Sequence, residues 1–292
     1  MSHNRATIFA EMKSMEIKKL VGITCAANLI MFSAVGAFVG YVAFRSMDTE
    51  IQQLQTEVKD LKESYSFATK VEFERAVAKG IDTYIQTGLK REIDQKYEKY
   101  KAAQETDIDG KAIYGYDKAR FTLIEFASLE CGYCGKYWET PKAISDASKG
   151  YVNVEWRNFP LPSQNPAAYN QAIAAECVAE QKGNRGRYVF LNEVFNNTGY
   201  GGRGVPDLAA LVSGVGADLK EFKKCMESGR ARGKVDEDLA FARENGVNST
   251  PTTIIVDNHT GRSQKVSGAQ PAQAVMAVIQ RMTVETDEEK NT

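Results

Sequence analysis

Apolar residues run without a single charge from residue 20 to residue 44, 25 positions in all. As a helix this run reaches about 37 Å, more than the roughly 30 Å hydrocarbon core of a bilayer, and it predicts a transmembrane anchor. Arg5, Lys13, Lys18 and Lys19 precede it against Glu11 and Glu16, whereas Arg45 is followed by Asp48 and Glu50. The excess of basic residues on the N-terminal side predicts a cytoplasmic segment 1–19 and an exported remainder, a single-pass protein of a bacterial inner membrane. Val35-Gly36-Ala37 has the small-residue form of a signal-peptide cleavage site, so a cleaved leader is the competing reading. Cys25 within the run reads as an apolar packing residue. Beyond it, Ile51, Leu54, Val58, Leu61, Tyr65 and Ala68 recur at spacings of 3 and 4, an a/d seam of two and a half heptads. Residues 45–111 are expected to form a helical stalk and linker. The seam 51–68 would either pack on its own domain or join copies in a weak homo-oligomer. Thr69-Lys70-Val71-Glu72 has the form of a capping box opening a second helix towards Lys101, with a break expected near Gly80 or Gly88. Residues 107–110 read as a linker.

The periodicity changes after residue 112. Residues 119–127 (ARFTLIEFA) are nearly all apolar, the pattern of a central strand buried on both faces, with Glu125 as the interruption. A helix is expected over 136–148 despite Pro141, then a strand over 152–156, together a βαβ unit. From 167 to 245 the apolar positions fall at helical spacing, as in Ala168, Ala172, Ala175 and Ala179. Strands return at 252–256 and 264–266, a helix follows over 271–282, and residues 284–292 read as a flexible acidic tail. The fold class is therefore α/β: a sheet domain over 112–283 with a helical insertion at about 167–245, preceded by the anchor and the stalk.

Lys and Arg total 37 against 38 Asp and Glu, so no basic excess points to a nucleic-acid partner. The two histidines, His3 and His259, are too few and too far apart for a His-rich metal centre or a Ser-His-Asp triad. Chemistry must come from sulfur or carboxylate. Cys131-Gly132-Tyr133-Cys134 falls at the strand-to-helix junction, where unpaired backbone N–H groups favour a thiolate. Cys131 would attack, or be attacked, in a mixed disulfide and Cys134, one turn on, would resolve it. A structural zinc site would need two more ligands, and no second CxxC or CxxH exists; two thiolates holding Cu(I), or a redox-inactive envelope assembly protein joined through its stalk, are the alternatives to exchange. Glu125, buried in its strand, should have a raised pKa and could accept and return the proton of Cys134. Thr250-Pro251, just before a strand, can hold a cis bond and so present the backbone of Thr250 to a substrate peptide beside the sulfurs.

The strand LIEF, then CGYC, a helical insertion and GVNSTPTTIIV resemble, in order and spacing, the DsbA-like thiol:disulfide oxidoreductases of bacteria, including their membrane-anchored and Com1-like members. The resemblance implies a thioredoxin fold over about 112–283. It implies Cys131 as exposed nucleophile, Cys134 as resolving thiol, Pro251 as cis proline, and Gly132, Tyr133 and Thr250 at the substrate. It implies no cofactor beyond the Cys131/Cys134 pair, oxidase or isomerase activity on extracytoplasmic protein thiols, and a membrane redox partner. Gly132-Tyr133 stands where the strongest oxidants of that family carry Pro-His, which implies a less oxidising couple. Cys177 and Cys225, 48 residues apart on apolar helix faces, are either free thiols or, as the resemblance implies, a second disulfide bracing the helical insertion.

Overall fold

The computed structural model describes residues 50–60 and 70–290. The expected anchor at 20–44, the second half of the 51–68 seam and the capping residue Thr69 lie outside them. Among the described residues no helix is long and apolar enough to cross a membrane. Residues 50–60 are helical.

Helix α1 (Lys70–Lys99) runs through Gly80 and Gly88 without the expected break. A glycine costs a helix interior about 1 kcal/mol, and the surrounding Lys, Glu, Arg and Ala residues are good enough helix formers to offset two of them. Its last turn is anchored: the Tyr97 hydroxyl donates to the Val215 carbonyl at 3.0 Å, and Tyr100, just beyond, is buried in the main core. The segment 107–110 is tied down rather than a free linker, because Asp107 pairs with Arg187 at 2.5 Å and Ile108 and Lys111 bridge to each other.

Five strands follow: β1 (Ala112–Tyr114), β2 (Phe121–Ala127), β3 (Val152–Asn158), β4 (Thr252–Asp257) and β5 (Ser263–Ser267), in the order β1-β3-β2-β4-β5. Only β2 and β3 are parallel, with Phe121 opposite Val152. β2 is buried along its whole length, as a central strand should be. β1 was not expected, since three residues are too few to display a period. The helix expected over 136–148 is two: α2 (Gly132–Tyr137) and α3 (Glu139–Ala147). Pro141 offers no N–H to the Tyr137 carbonyl and its ring crowds that oxygen, so the helix turns at Trp138. Starting at Gly132 instead of Lys136, α2 leaves Cys131 as its N-cap.

The helical block comprises α4 (Ala167–Asn197), α5 (Leu208–Gly214), α6 (Leu219–Ser228) and α7 (Arg230–Glu244). α4 bends at Gly183, whose φ of 68° suits glycine and where any Cβ would collide with the Glu105 carbonyl. Asp218 caps α6 by accepting from the amides of Lys220 and Glu221 at 2.9 Å. The helical insertion expected over 167–245 is made of these four helices. Helix α7 packs on both α4 and α6, with Ala231 and Val235 in the core they share, and it also reaches the sheet: Ala242 at its end and Val247 beyond pack with Ile124, Phe126 and Ile254. Asn158 joins the sheet to two of these helices, its side-chain amide donating to Glu176 of α4 at 2.8 Å and to Asp238 of α7 at 3.1 Å. Cys177 and Cys225 are joined in a disulfide between α4 and α6, with Cα atoms 5.6 Å apart.

The last helix, α8 (Ala272–Lys290), passes the expected end at Met282 and takes in most of the stretch read as a flexible tail, 284–292. Within the extension, Glu285 forms an exposed ion pair with Arg262 at 2.6 Å.

Candidate active site

The chain leaves β2 at Ala127, turns through Ser128 to Glu130 and enters α2 at Cys131, so the sheet delivers the first sulfur to the start of a helix. Cys131 and Cys134 are both free thiols. Cys131 is 7% exposed, while Cys134, one turn inside, is fully enclosed. The loop before β4 comes back to them with a cis Thr250-Pro251 bond, and the Cys131 thiol donates to the Thr250 carbonyl across 3.6 Å. The Thr250 hydroxyl is buried with no full hydrogen bond among the described residues, and it stands close enough to both sulfurs to favour the thiolate at each.

These surroundings pull the two thiols apart. The hydrogen bond from Cys134 is the main influence drawing Cys131 down to about 5; burial opposes it, and the Thr250 hydroxyl and the amides of Cys134 and Tyr133 add to it. Burial first, and then the neighbouring Cys131, push Cys134 well above the ordinary thiol range. One sulfur is ready to attack at neutral pH and the other holds its proton. Gly132 and Tyr133 form the outer rim: the space a Gly132 side chain would fill is open, and Tyr133 is 67% exposed with the Lys136 ammonium 5.5 Å from its ring centre.

Glu125 lies in β2 opposite Trp156 and Thr253, 1% exposed, and its Oε1 has no hydrogen-bond partner among the described residues. Burial pushes its pKa up to about 7, opposed by the charge of Lys142. Lys142 is a member of this site that the sequence did not disclose. It is 2% exposed, and burial lowers its ammonium to about 7 against the attraction of Glu125. Its Nζ donates to the Trp138 carbonyl and lies 3.2 Å from the centre of the Trp138 ring. The available signal was its place four residues after Trp138, on the helix face that also carries Ser145 inward. The buried Tyr137 hydroxyl, which also feels the charge of Glu125, meets the Thr253 hydroxyl at 3.2 Å. Among the described residues no group of three or more His, Cys, Asp or Glu could hold a metal ion.

The Thioredoxin_4 family profile, described as thioredoxin, matches residues 107–275. DsbA2 of Pseudomonas aeruginosa superposes with a TM-score of 0.54 at 31% identity, covering 59% of this chain and 93% of that one. Alpha-DsbA1 of Wolbachia pipientis shares the fold, with a TM-score of 0.50 at 19% identity over 63% of this chain and 96% of that one. A Na(+)/H(+) antiporter NhaA 3 of Salinispora tropica is 28% identical over 151 residues, 51% of this chain but only 22% of the antiporter's length. Together with a CxxC pair set at the start of a helix against a cis proline, these likenesses place the chain in the Thioredoxin_4 family as a DsbA-like thiol:disulfide oxidoreductase whose active-site pair is Cys131 and Cys134.

Proposed function

We propose that this protein donates disulfides to, and reshuffles them in, extracytoplasmic proteins, with Cys131 as the attacking and attacked sulfur. The observation that carries this reading is the split between the sulfurs: Cys131 reaches the surface beside the Thr250 backbone with its pKa drawn to about 5, and Cys134 is sealed beneath it. In the oxidised enzyme a substrate thiolate attacks the Cys131 sulfur, the Cys131–Cys134 bond breaks, and Cys134 leaves with the electron pair and takes up a proton. A second substrate thiolate then attacks the substrate sulfur of the mixed disulfide and releases Cys131 as a thiolate. The substrate loses two electrons and its thiol protons, and the enzyme pair gains both electrons. A stabilised Cys131 thiolate favours the reduced enzyme, so electrons flow from substrate to enzyme. With no imidazole at Gly132-Tyr133, the Cys131 thiolate is favoured instead by Cys134, Thr250 and backbone amides. The Cys177–Cys225 disulfide accords with an oxidising compartment.

Replacing Cys134 with Ala tests this directly. Cys131 then has no resolving partner, and mixed disulfides with envelope proteins should accumulate and vanish on adding dithiothreitol. If no thiol-sensitive adducts form, the protein is not an exchange enzyme; Cu(I) capture by the same thiolates would appear instead as copper in the purified protein.

Glu125 is the group that supplies and removes the Cys134 proton in this reading. Its pKa, raised from 4.5 to about 7 by burial, means that the native protein keeps a proton the unfolded chain has released between those values. Native stability therefore falls as pH rises through that window. Lys142, lowered from 10.5 to about 7, has the opposite effect above neutrality, where stability rises with pH. Glu125→Gln should abolish the fall between pH 4.5 and 7, raise stability above pH 7 by up to about 3 kcal/mol, and slow the release of Cys134. Urea unfolding across pH, with stopped-flow reduction of the pair, reads both effects. An unchanged stability profile with unchanged release would remove Glu125 from the reaction.

A further inference from the structure

Immediately before the nucleophile sits Glu130, wholly buried. Its Oε1 accepts from Gln171 Nε2 at 2.6 Å and from the Thr198 hydroxyl. Its Oε2 accepts from the amides of Gly202 at 2.9 Å and Gly204 at 3.1 Å, and its own carbonyl accepts from the amide of Gly201 at 2.9 Å. A buried carboxylate is costly unless its lone pairs are met. Here every donor that meets it is neutral, and three of the four belong to one glycine-rich loop, Thr198-Gly199-Tyr200-Gly201-Gly202-Arg203-Gly204. The loop has left-handed backbone at Tyr200, Gly201, Gly202 and Gly204. It is held from its other side as well: any Cβ on Gly202 would press on the Gln164 backbone, and the Gln164 side chain accepts from the Ser128 hydroxyl at 2.7 Å.

The clamped loop carries a single large ring, and that ring lies against the active site. The Tyr200 hydroxyl donates to the Phe195 carbonyl at 2.7 Å. The ring occupies the notch left by Gly135, where any Cβ would collide with its hydroxyl. Gly135 is the residue after Cys134, and its amide donates to the Cys131 carbonyl at 3.1 Å. Tyr200 also stands in the field of the reacting groups: burial chiefly raises its pKa, and the charges of Cys134, Glu130 and Cys131 raise it further. Half-buried and at the mouth of the site, it leaves part of its ring to solvent.

We propose that Tyr200 is a specificity-determining residue that docks polypeptide substrates beside Cys131, and that Glu130 is the positioning residue that holds it there. A small thiol needs only to reach the sulfur. A polypeptide also brings the side chains that flank its cysteine, and an aromatic ring fixed by its backbone offers contact area with little entropy left to lose. Glu130 is suited to the task because its carboxylate accepts from both glycine amides. The amide of a glutamine would turn N–H groups towards N–H groups.

The inference rests on the exchange activity proposed above, and the test separates the two. Full-length wild type, Tyr200→Ala, Tyr200→Phe and Glu130→Gln are assayed with a reduced, unfolded two-cysteine polypeptide and, in parallel, with dithiothreitol. For the polypeptide, KM should rise about tenfold in Tyr200→Ala, a typical loss on truncating an aromatic contact, while kcat changes little. Tyr200→Phe should restore KM, because the ring is kept. Glu130→Gln should follow Tyr200→Ala, with the thiolate titration of Cys131 in place. An unchanged KM in Tyr200→Ala, or an equal loss with dithiothreitol and polypeptide, overturns the inference. Wild type inert towards the polypeptide would instead overturn the exchange activity itself. Tyr200→Ala alters only a half-buried ring, so it decides the question even if Glu130→Gln folds poorly.

Discussion

At pH 6, Cys131 of the reduced protein should react with iodoacetamide on the order of a thousandfold faster than Cys134, since only the thiolate is nucleophilic. With its pKa drawn to about 5, Cys131 is mostly ionised at that pH. Cys134, pushed well above 9 by burial, is almost wholly protonated and has no exposed surface. Burial alone would raise both thiols. The contrast arises because the hydrogen bond between the sulfurs favours the thiolate on Cys131 and opposes it on Cys134, which is also the more deeply buried. The measurement is a pH series of labelling rates with mass-spectrometric localisation. Rate against pH for Cys131 should show a midpoint near 5, and Cys134 should show none below 9. Equal rates, or faster labelling of Cys134, would reverse the assignment of attacking and resolving sulfurs.

Removing the Cys177–Cys225 bridge should lower stability by up to about 4 kcal/mol, the chain-entropy value for a closed loop of this length. The bridge joins α4 to α6, so the loss falls on the helical layer. Apolar packing also holds these helices, with Val178, Val212 and Phe222 in the main core, and polar pairs add to it: Arg187 on Glu176 at 2.9 Å and Asn158 on Glu176 at 2.8 Å. The double variant Cys177→Ala, Cys225→Ala should therefore shift the denaturant midpoint down while the titration of Cys131 stays in place. A shift of less than about 1 kcal/mol would mean that the unfolded chain gains little freedom when the bridge is lost.

The parts of this molecule that were legible in its sequence are those where a residue type contradicts its surroundings. Glu125 stands out because a carboxylate interrupts an apolar strand, and two cysteines one turn apart at a strand-to-helix junction leave few other uses. Lys142 and Glu130 were not legible for the converse reason. A lysine on a helix and a glutamate in a turn look solvated until the fold closes over them, and both are buried. The three-residue β1 carries no period, and the break at Trp138 depends on one missing N–H at Pro141. The ion pair from Glu285, in the extension of α8 beyond Met282, to Arg262 joins residues 23 apart, which no local pattern displays. α7 shows the same helical stripe as its neighbours, and that its end also meets Phe126 and Ile254 of the sheet could not be read from the stripe.

The contact between Cys131 and Thr250 spans 119 residues of chain, which sets an order of events during synthesis. As the polypeptide emerges from its N-terminus, both cysteines appear long before the loop that tunes them. β2 has β3 beside it early, but its other edge waits for β4. Until residue 250 arrives, Cys131 lacks the hydroxyl that favours its thiolate, and the strand leading to it is only half paired. Before then the Cys131 thiolate is favoured only by its near neighbours, Cys134 and the amides of Cys134 and Tyr133. The last of the groups that favour the thiolate arrives just ahead of the strand that pairs the open edge of β2, so the tuning of Cys131 is finished only when the sheet is.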